Sequence, residues 1–177
     1  YRFAGTPHTD TLQAGDTDRY AVTPPPVTER QRIAFSSVEV RDVSLPAYAA
    51  ADEITLLGAD GRLQSDGGVL WADTPSRAVA LELSRNLAQL TGARIASEPW
   101  PFDALPAARL DVRFETLLAG ADGAYRAIGQ YFVATDVPGR ERSGLFDLTV
   151  AFDPDAGPHA IAAARGQGIL DLARFIA

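Results

Sequence analysis

The chain contains no cysteine, no methionine and no lysine among its 177 residues. Without cysteine it forms no disulfide, offers no thiolate nucleophile and lacks the usual zinc-ligand spacings. Histidine is nearly as scarce: His8 and His159 are the two imidazoles, and neither sits in a recognisable catalytic motif. The want of methionine even at position 1 is expected of a chain that begins behind a removed leader. Because lysine is absent, all 16 basic residues are arginines, set against 23 acids for a net charge of −7. No stretch gathers those arginines with aromatics, so nucleic-acid binding is not expected, and phosphates are repelled at long range. No run approaches the ~18 apolar residues of a membrane-spanning helix.

What is present describes a globular chain. Hydrophobic residues make up 46% and charged ones 22%, the balance of one domain with a sizeable core. Residues 1–32 are polar and turn-rich, with Thr-Pro-Pro-Pro at 23–26, and read as an extended or mobile N-terminal arm or tether. Residues 33–177 read as a single domain. Its first strand is expected over residues 33–41, followed by a long loop broken by Pro46.

Two hairpins are expected, each turned by the tetrapeptide Gly-Ala-Asp-Gly, at 58–61 and again at 120–123. Asp60-Gly61 is suited to the positive-φ positions of a tight turn. The flanks of the two copies do not match, so the duplication reads as shared turn chemistry. Between residues 109 and 118, Leu110, Val112, Phe114, Thr116 and Leu118 share one face of a strand. Arg109, Asp111, Arg113 and Glu115 share the other, which is therefore solvated. A strand over 125–135 completes the second hairpin. Further strands are expected at 93–97 and at 144–152, where Phe146, Leu148, Val150 and Phe152 alternate.

Two helices stand out. Thr74 and Pro75 offer a cap and a first helical residue, after which Val79, Leu83, Asn86, Leu87 and Leu90 recur until Gly92. The second runs from about Pro158 to Ile176, with Ile161, Ile169 and Leu172 as its buried stripe and Gly166 and Gly168 as weak points. The expected class is α+β: a mixed or antiparallel sheet with two long helices on one face.

Signatures of catalysis are wanting. There is no G-x-S-x-G elbow, no phosphate-binding loop and no G-x-G-x-x-G after a strand. No catalytic residue, cofactor or metal ligand is expected. His159, in the first turn of the last helix, reads as a polar surface residue. Asp153 and Asp155 read as helix-start acids. Large apolar residues in irregular segments are more informative, namely Leu45 and Tyr48 after the first strand, Trp71 before the first helix, and Trp100 with Phe102 between prolines. Such residues either close the ends of a core or form a contact surface. For Leu45, Tyr48 and Trp71 the expectation is partner binding.

Several short patterns occur in order: Val38-Glu39-Val40, Leu45-Pro46-x-Tyr48, Trp71-Ala72-Asp73, Leu83-x-x-Asn86-Leu87, residues 110–115 (LDVRFE) and residues 172–177 (LARFIA). Together they resemble the PqiC-like family of ABC-type transport auxiliary lipoproteins, from about Tyr20 onward. Thr74 stands where that family has a proline, with Pro75 one place later. The resemblance implies a lipid anchor on a cysteine upstream of Tyr1, at the periplasmic face of a Gram-negative outer membrane. It also implies an MCE-domain partner, self-association, and a role in moving phospholipid between membranes and keeping the envelope intact. It brings no catalytic residues.

Three roles follow for comparison with the structure. The first is a docking subunit, with Leu45, Tyr48 and Trp71 at or near the contact. The second is an independent periplasmic lipid-binding lipoprotein, holding a lipid between helices and sheet along Val79, Leu83, Leu87, Ile161, Ile169 and Leu172. The third, an envelope hydrolase, requires His159 or a carboxylate pair in a common cleft.

Overall fold

A computed structural model describes residues 17–177; His8 and the first half of the expected arm lie outside the described residues. The elements are β1 (Asp18–Tyr20), β2 (Ser37–Val40), α1 (Ala47–Ala50), β3 (Glu53–Leu57), β4 (Leu63–Trp71), α2 (Pro75–Thr91), β5 (Arg94–Ser97), β6 (Ala108–Gly120), β7 (Ala124–Ala134), β8 (Arg142–Ala151) and α3 (Pro158–Ile176). Eight strands form one mixed sheet, and the two long helices pack on one of its faces. The expected α+β architecture is observed.

The sheet is organised around β6. Along one edge it pairs antiparallel with β7, which in turn pairs antiparallel with β8. Its other edge is divided: β2 runs parallel to its first residues and β3 parallel to its last. Beyond β2 lies β5, and beyond β3 lie β4 and then β1.

The alternation read from β6 holds as far as Phe114 and then reverses. Register slips between Phe114 and Thr116, so Glu115 is an extra residue opposite β7 and the faces exchange. Leu117 and Ala119 are buried in consequence, at 5% and 0% exposure, where unbroken alternation pointed to Thr116 and Leu118. Both hairpins close as one turn type. Gly61 and Gly123 each take φ +82° and donate their N–H to Gly58 and Gly120 at 3.0 Å. Asp60 and Asp122 keep negative φ, so each glycine alone carries the left-handed position.

Helix α2 starts at Pro75 and stops at Gly92, whose φ of 67° places its N–H on the carbonyl of Ala88. The Thr74 hydroxyl makes no capping bond. Ahead of α3, Asp153 accepts from the N–H of Asp155 at 2.9 Å and so shapes a turn, while Gly157 occupies the cap position.

The domain takes in more of the expected arm than composition suggested. β1 lies parallel to β4, and the following segment crosses both helices. The N–H of Gln31 donates to Leu90 at 2.7 Å, and Glu29 receives Arg174 at 2.9 Å. A methyl group on Gly166 would lie 2.6 Å from Val22. That glycine, a weak point for an isolated helix, is where the crossing segment comes closest. Residues 18–32 are therefore packed against the sheet and both helices. This packing is not legible in the sequence because Tyr20, Val22 and Val27 are spaced by prolines and polar residues without a regular period.

Candidate functional site

Between the stretches claimed by β2 and β3, the free edge of β6 is occupied by the loop that carries Leu45 and Tyr48. Arg41 and Ser44 donate their N–H groups to Leu110 and Val112 at 2.9 and 3.0 Å, and Phe114 donates to Ser44 at 2.8 Å. The loop is thus pinned by main-chain bonds. Pro46 then opens the single turn α1, accepting from Ala49 and Ala50.

Leu45 is half-buried and packs on the main core. Tyr48 is half-buried too, with its hydroxyl accepting from the N–H of Leu117 at 3.3 Å. Trp71, expected in an irregular segment, is the last residue of β4 and only 7% exposed. The structure brings Tyr48 and Trp71 around one small cavity of about 10 Å³, shared with Tyr125 and Arg165. That is about the space of one water molecule. Leu45 does not line it.

The sequence reading missed the ion pair behind that cavity. Arg165, on α3, is 4% exposed, and its guanidinium lies 4.0 Å from the centre of the Trp71 ring. The same group meets Glu82 of α2 at 3.3 Å, so one side chain ties two helices to the end of a strand. A signal was available: Arg165 falls four residues after Ile161 and four before Ile169, within the apolar stripe of α3. A charge at such a position needs a partner. Burial raises the Glu82 carboxyl above its ordinary range, and the neighbouring guanidinium draws it back in part. Burial likewise pushes the Tyr125 phenol above its ordinary value.

The other residues singled out lie elsewhere. His159 is exposed in the first turn of α3. Trp100 donates to the carbonyl of Ala104 at 2.7 Å and meets Phe102 edge-on at 5.2 Å, covering the connection from β5 to β6. Among the described residues, no group of three or more histidines and carboxylates gathers to hold a metal ion. Nor is any described helix long and apolar enough to cross a membrane.

Residues 20–177 match the sequence pattern of the ABC-type transport auxiliary lipoprotein component. The chain belongs to that family. An auxiliary lipoprotein of this kind works as one component of a transport system, beside other subunits. Its fold is shared with solved structures. A crystal structure of an uncharacterized protein superposes with a TM-score of 0.71 at 18% identity, over 90% of this chain and 97% of the other. Protein XCC0632 from Xanthomonas campestris gives 0.66 at 16% identity, over 90% and 92%. At such identities the likeness shows the fold. No curated protein matches the chain.

The raised Glu82 carboxyl gives the auxiliary lipoprotein a pH signature. A folded-state pKa above the unfolded value means that the folded chain binds more protons, so this group favours folding increasingly as pH falls towards 4.5. In urea titrations between pH 7 and 4.5, the stability of wild type minus that of Glu82→Gln is expected to grow as pH is lowered. A difference that shrinks would refute the assignment.

Proposed function

We propose that this auxiliary lipoprotein is the docking subunit of an MCE-type lipid-transport system. It is held by a lipid anchor at the periplasmic face of the outer membrane and supports phospholipid movement between membranes and envelope integrity. Family membership supports the transport role. The observation that carries the docking role is the Leu45–Tyr48 loop, fixed to β6 by main-chain bonds while both side chains keep part of their surface. A surface held in one conformation loses little entropy on association. Trp71 lies behind the loop and contributes by packing against Arg165, while Leu45 and Tyr48 meet the partner. Self-association of the lipoprotein belongs to the same reading.

The test is a pull-down from Gram-negative envelope extract with full-length, lipidated protein, its partners identified by mass spectrometry. Wild type is expected to recover an MCE-domain protein. Tyr48→Ala and Leu45→Asp, each folded by circular dichroism, are expected to recover roughly tenfold less, the effect of losing a central interface anchor. Recovery at the wild-type level by both variants would remove the loop from the interface. No MCE-domain protein from a correctly localised bait would favour an independent lipid-binding lipoprotein instead.

A further inference from the structure

The apolar stripes of α2 and α3 leave no room for a ligand along most of their length. Val79, Leu83, Ile169 and Leu172 are each 0% exposed, and all belong to one continuous core. Among the described residues, the layer between helices and sheet opens towards the place where the chain crosses from the arm into β2. There a cavity of about 240 Å³ remains. Its walls include Leu87 of α2, Ile176 of α3, Ile95 of β5 and Val133 of β7, with Ile33 and Phe35 from the crossing segment.

Two charged side chains also line this space, Arg32 from the crossing segment and Arg142 from the start of β8. Both are exposed, so each is free to present its guanidinium to solvent and to a ligand head group. Among the described residues, neither is paired with a carboxylate.

Size and chemistry together limit the occupant. The cavity exceeds the ~150 Å³ of an apolar site that admits benzene and falls short of the ~300 Å³ at which pockets for drug-sized ligands begin. A volume between those bounds takes a short hydrocarbon segment rather than a whole lipid. The guanidinium forks of arginines lining such a cavity match carboxylate or phosphate oxygens in both charge and geometry.

We propose that this cavity binds the end of a single alkyl chain whose anionic head group, carboxylate or phosphate, is held by Arg32 and Arg142. The site shares no lining residue with the small cavity beneath Tyr48 and Trp71, and it stands whether or not an MCE-domain partner docks on that loop.

Titration of the whole chain with decanoate, decyl phosphate or neutral decanol, below their micelle concentrations, tests it by methyl NMR. Saturable shifts are expected at Ile33, Leu87, Ile95, Val133 and Ile176 with an anionic amphiphile. Tighter binding of decyl phosphate assigns the site to phospholipid-type head groups; tighter binding of decanoate assigns it to fatty acids. The double variant Arg32→Gln, Arg142→Gln changes exposed residues only. It is expected to weaken the anionic ligands about tenfold and leave decanol unchanged. Val133→Phe should fill the cavity and abolish the shifts. Absence of saturable shifts at these methyls with both anionic ligands overturns the site, and equal affinity in the double variant overturns the head-group assignment.

Discussion

Replacing Arg165 with alanine is expected to lower the unfolding free energy by about 3–5 kcal/mol, the usual cost of removing one partner from a buried ion pair. The loss arises less from the missing attraction than from what stays behind. Glu82 has 11% of its side chain exposed, and its carboxyl is already raised by burial while Arg165 is present. Without the guanidinium it faces the full cost of an unpaired charge. Trp71 loses the cation 4.0 Å from its ring, a contact worth about 0.5–2 kcal/mol, and the link between both helices and β4 is cut.

One further variant and a pH series separate these causes. Joint replacement by Arg165→Met and Glu82→Leu is expected to restore stability to near or above the wild-type level, because neither charge is then buried. The pair is imperfectly satisfied, since Glu82 Oε1 and Arg165 Nε are buried without a hydrogen-bond partner among the described residues. Arg165→Ala alone should also recover part of its deficit as pH falls towards 4.5, where Glu82 takes up a proton and the unpaired charge disappears. Urea denaturation followed by tryptophan fluorescence reads all three. A loss below about 1 kcal/mol for Arg165→Ala would mean that the pair behaves as an exposed one.

The parts legible in the sequence are those where local pattern and tertiary packing agree. Helix α2 has its proline start, its stripe of one valine and three leucines and its glycine stop, and it forms over Pro75–Thr91. The strand alternation of β8 likewise survives, with Phe146 buried and Leu148 and Val150 partly so. The hidden parts depend on distant contacts. β1 exists because β4 offers an edge. β4 itself runs through Ser65-Asp66-Gly67-Gly68, which looks like a loop; pairing with β3 on either side of it, up to Ser65 and again at Leu70, carries the strand across a register irregularity.

For the candidate site, Leu45 and Tyr48 were visible as bulky residues around a proline, and the loop that holds them is observed. What their sequence could not show is that β6 has a vacant edge of just this length. Trp71 was visible as a large aromatic, but its burial comes from residues distant in the chain, Arg165 over its ring and Ile161 and Ala162 of α3 beside it. A buried arginine is legible only as a misfit within an apolar helical stripe. Its acidic partner on another helix is not legible at all.

Gly129→Val is expected to destabilise the fold by about 3 kcal/mol or more, the upper range for overpacking a well-filled interior. Gly129 lies at the centre of β7, opposite Phe114 on β6 and Phe146 on β8. Those two rings meet edge-to-face across it at 5.4 Å, occupying the space that a glycine leaves free. An added Cβ would stand 2.1 Å from the carbonyl oxygen of Arg113 and 2.9 Å from the Phe146 ring. The ring can turn aside, but the carbonyl belongs to β6 immediately before its register slip and cannot move without disturbing the ladder. The two contacts therefore predict different rescues. If the ring were the obstacle, Phe146→Leu would relieve the valine variant. Because the backbone is the nearer obstacle, that second change is expected to add its own cavity cost of about 1–3 kcal/mol instead. A double variant more stable than Gly129→Val alone would show that the aromatic pair, rather than the close approach of β6, dictates the glycine.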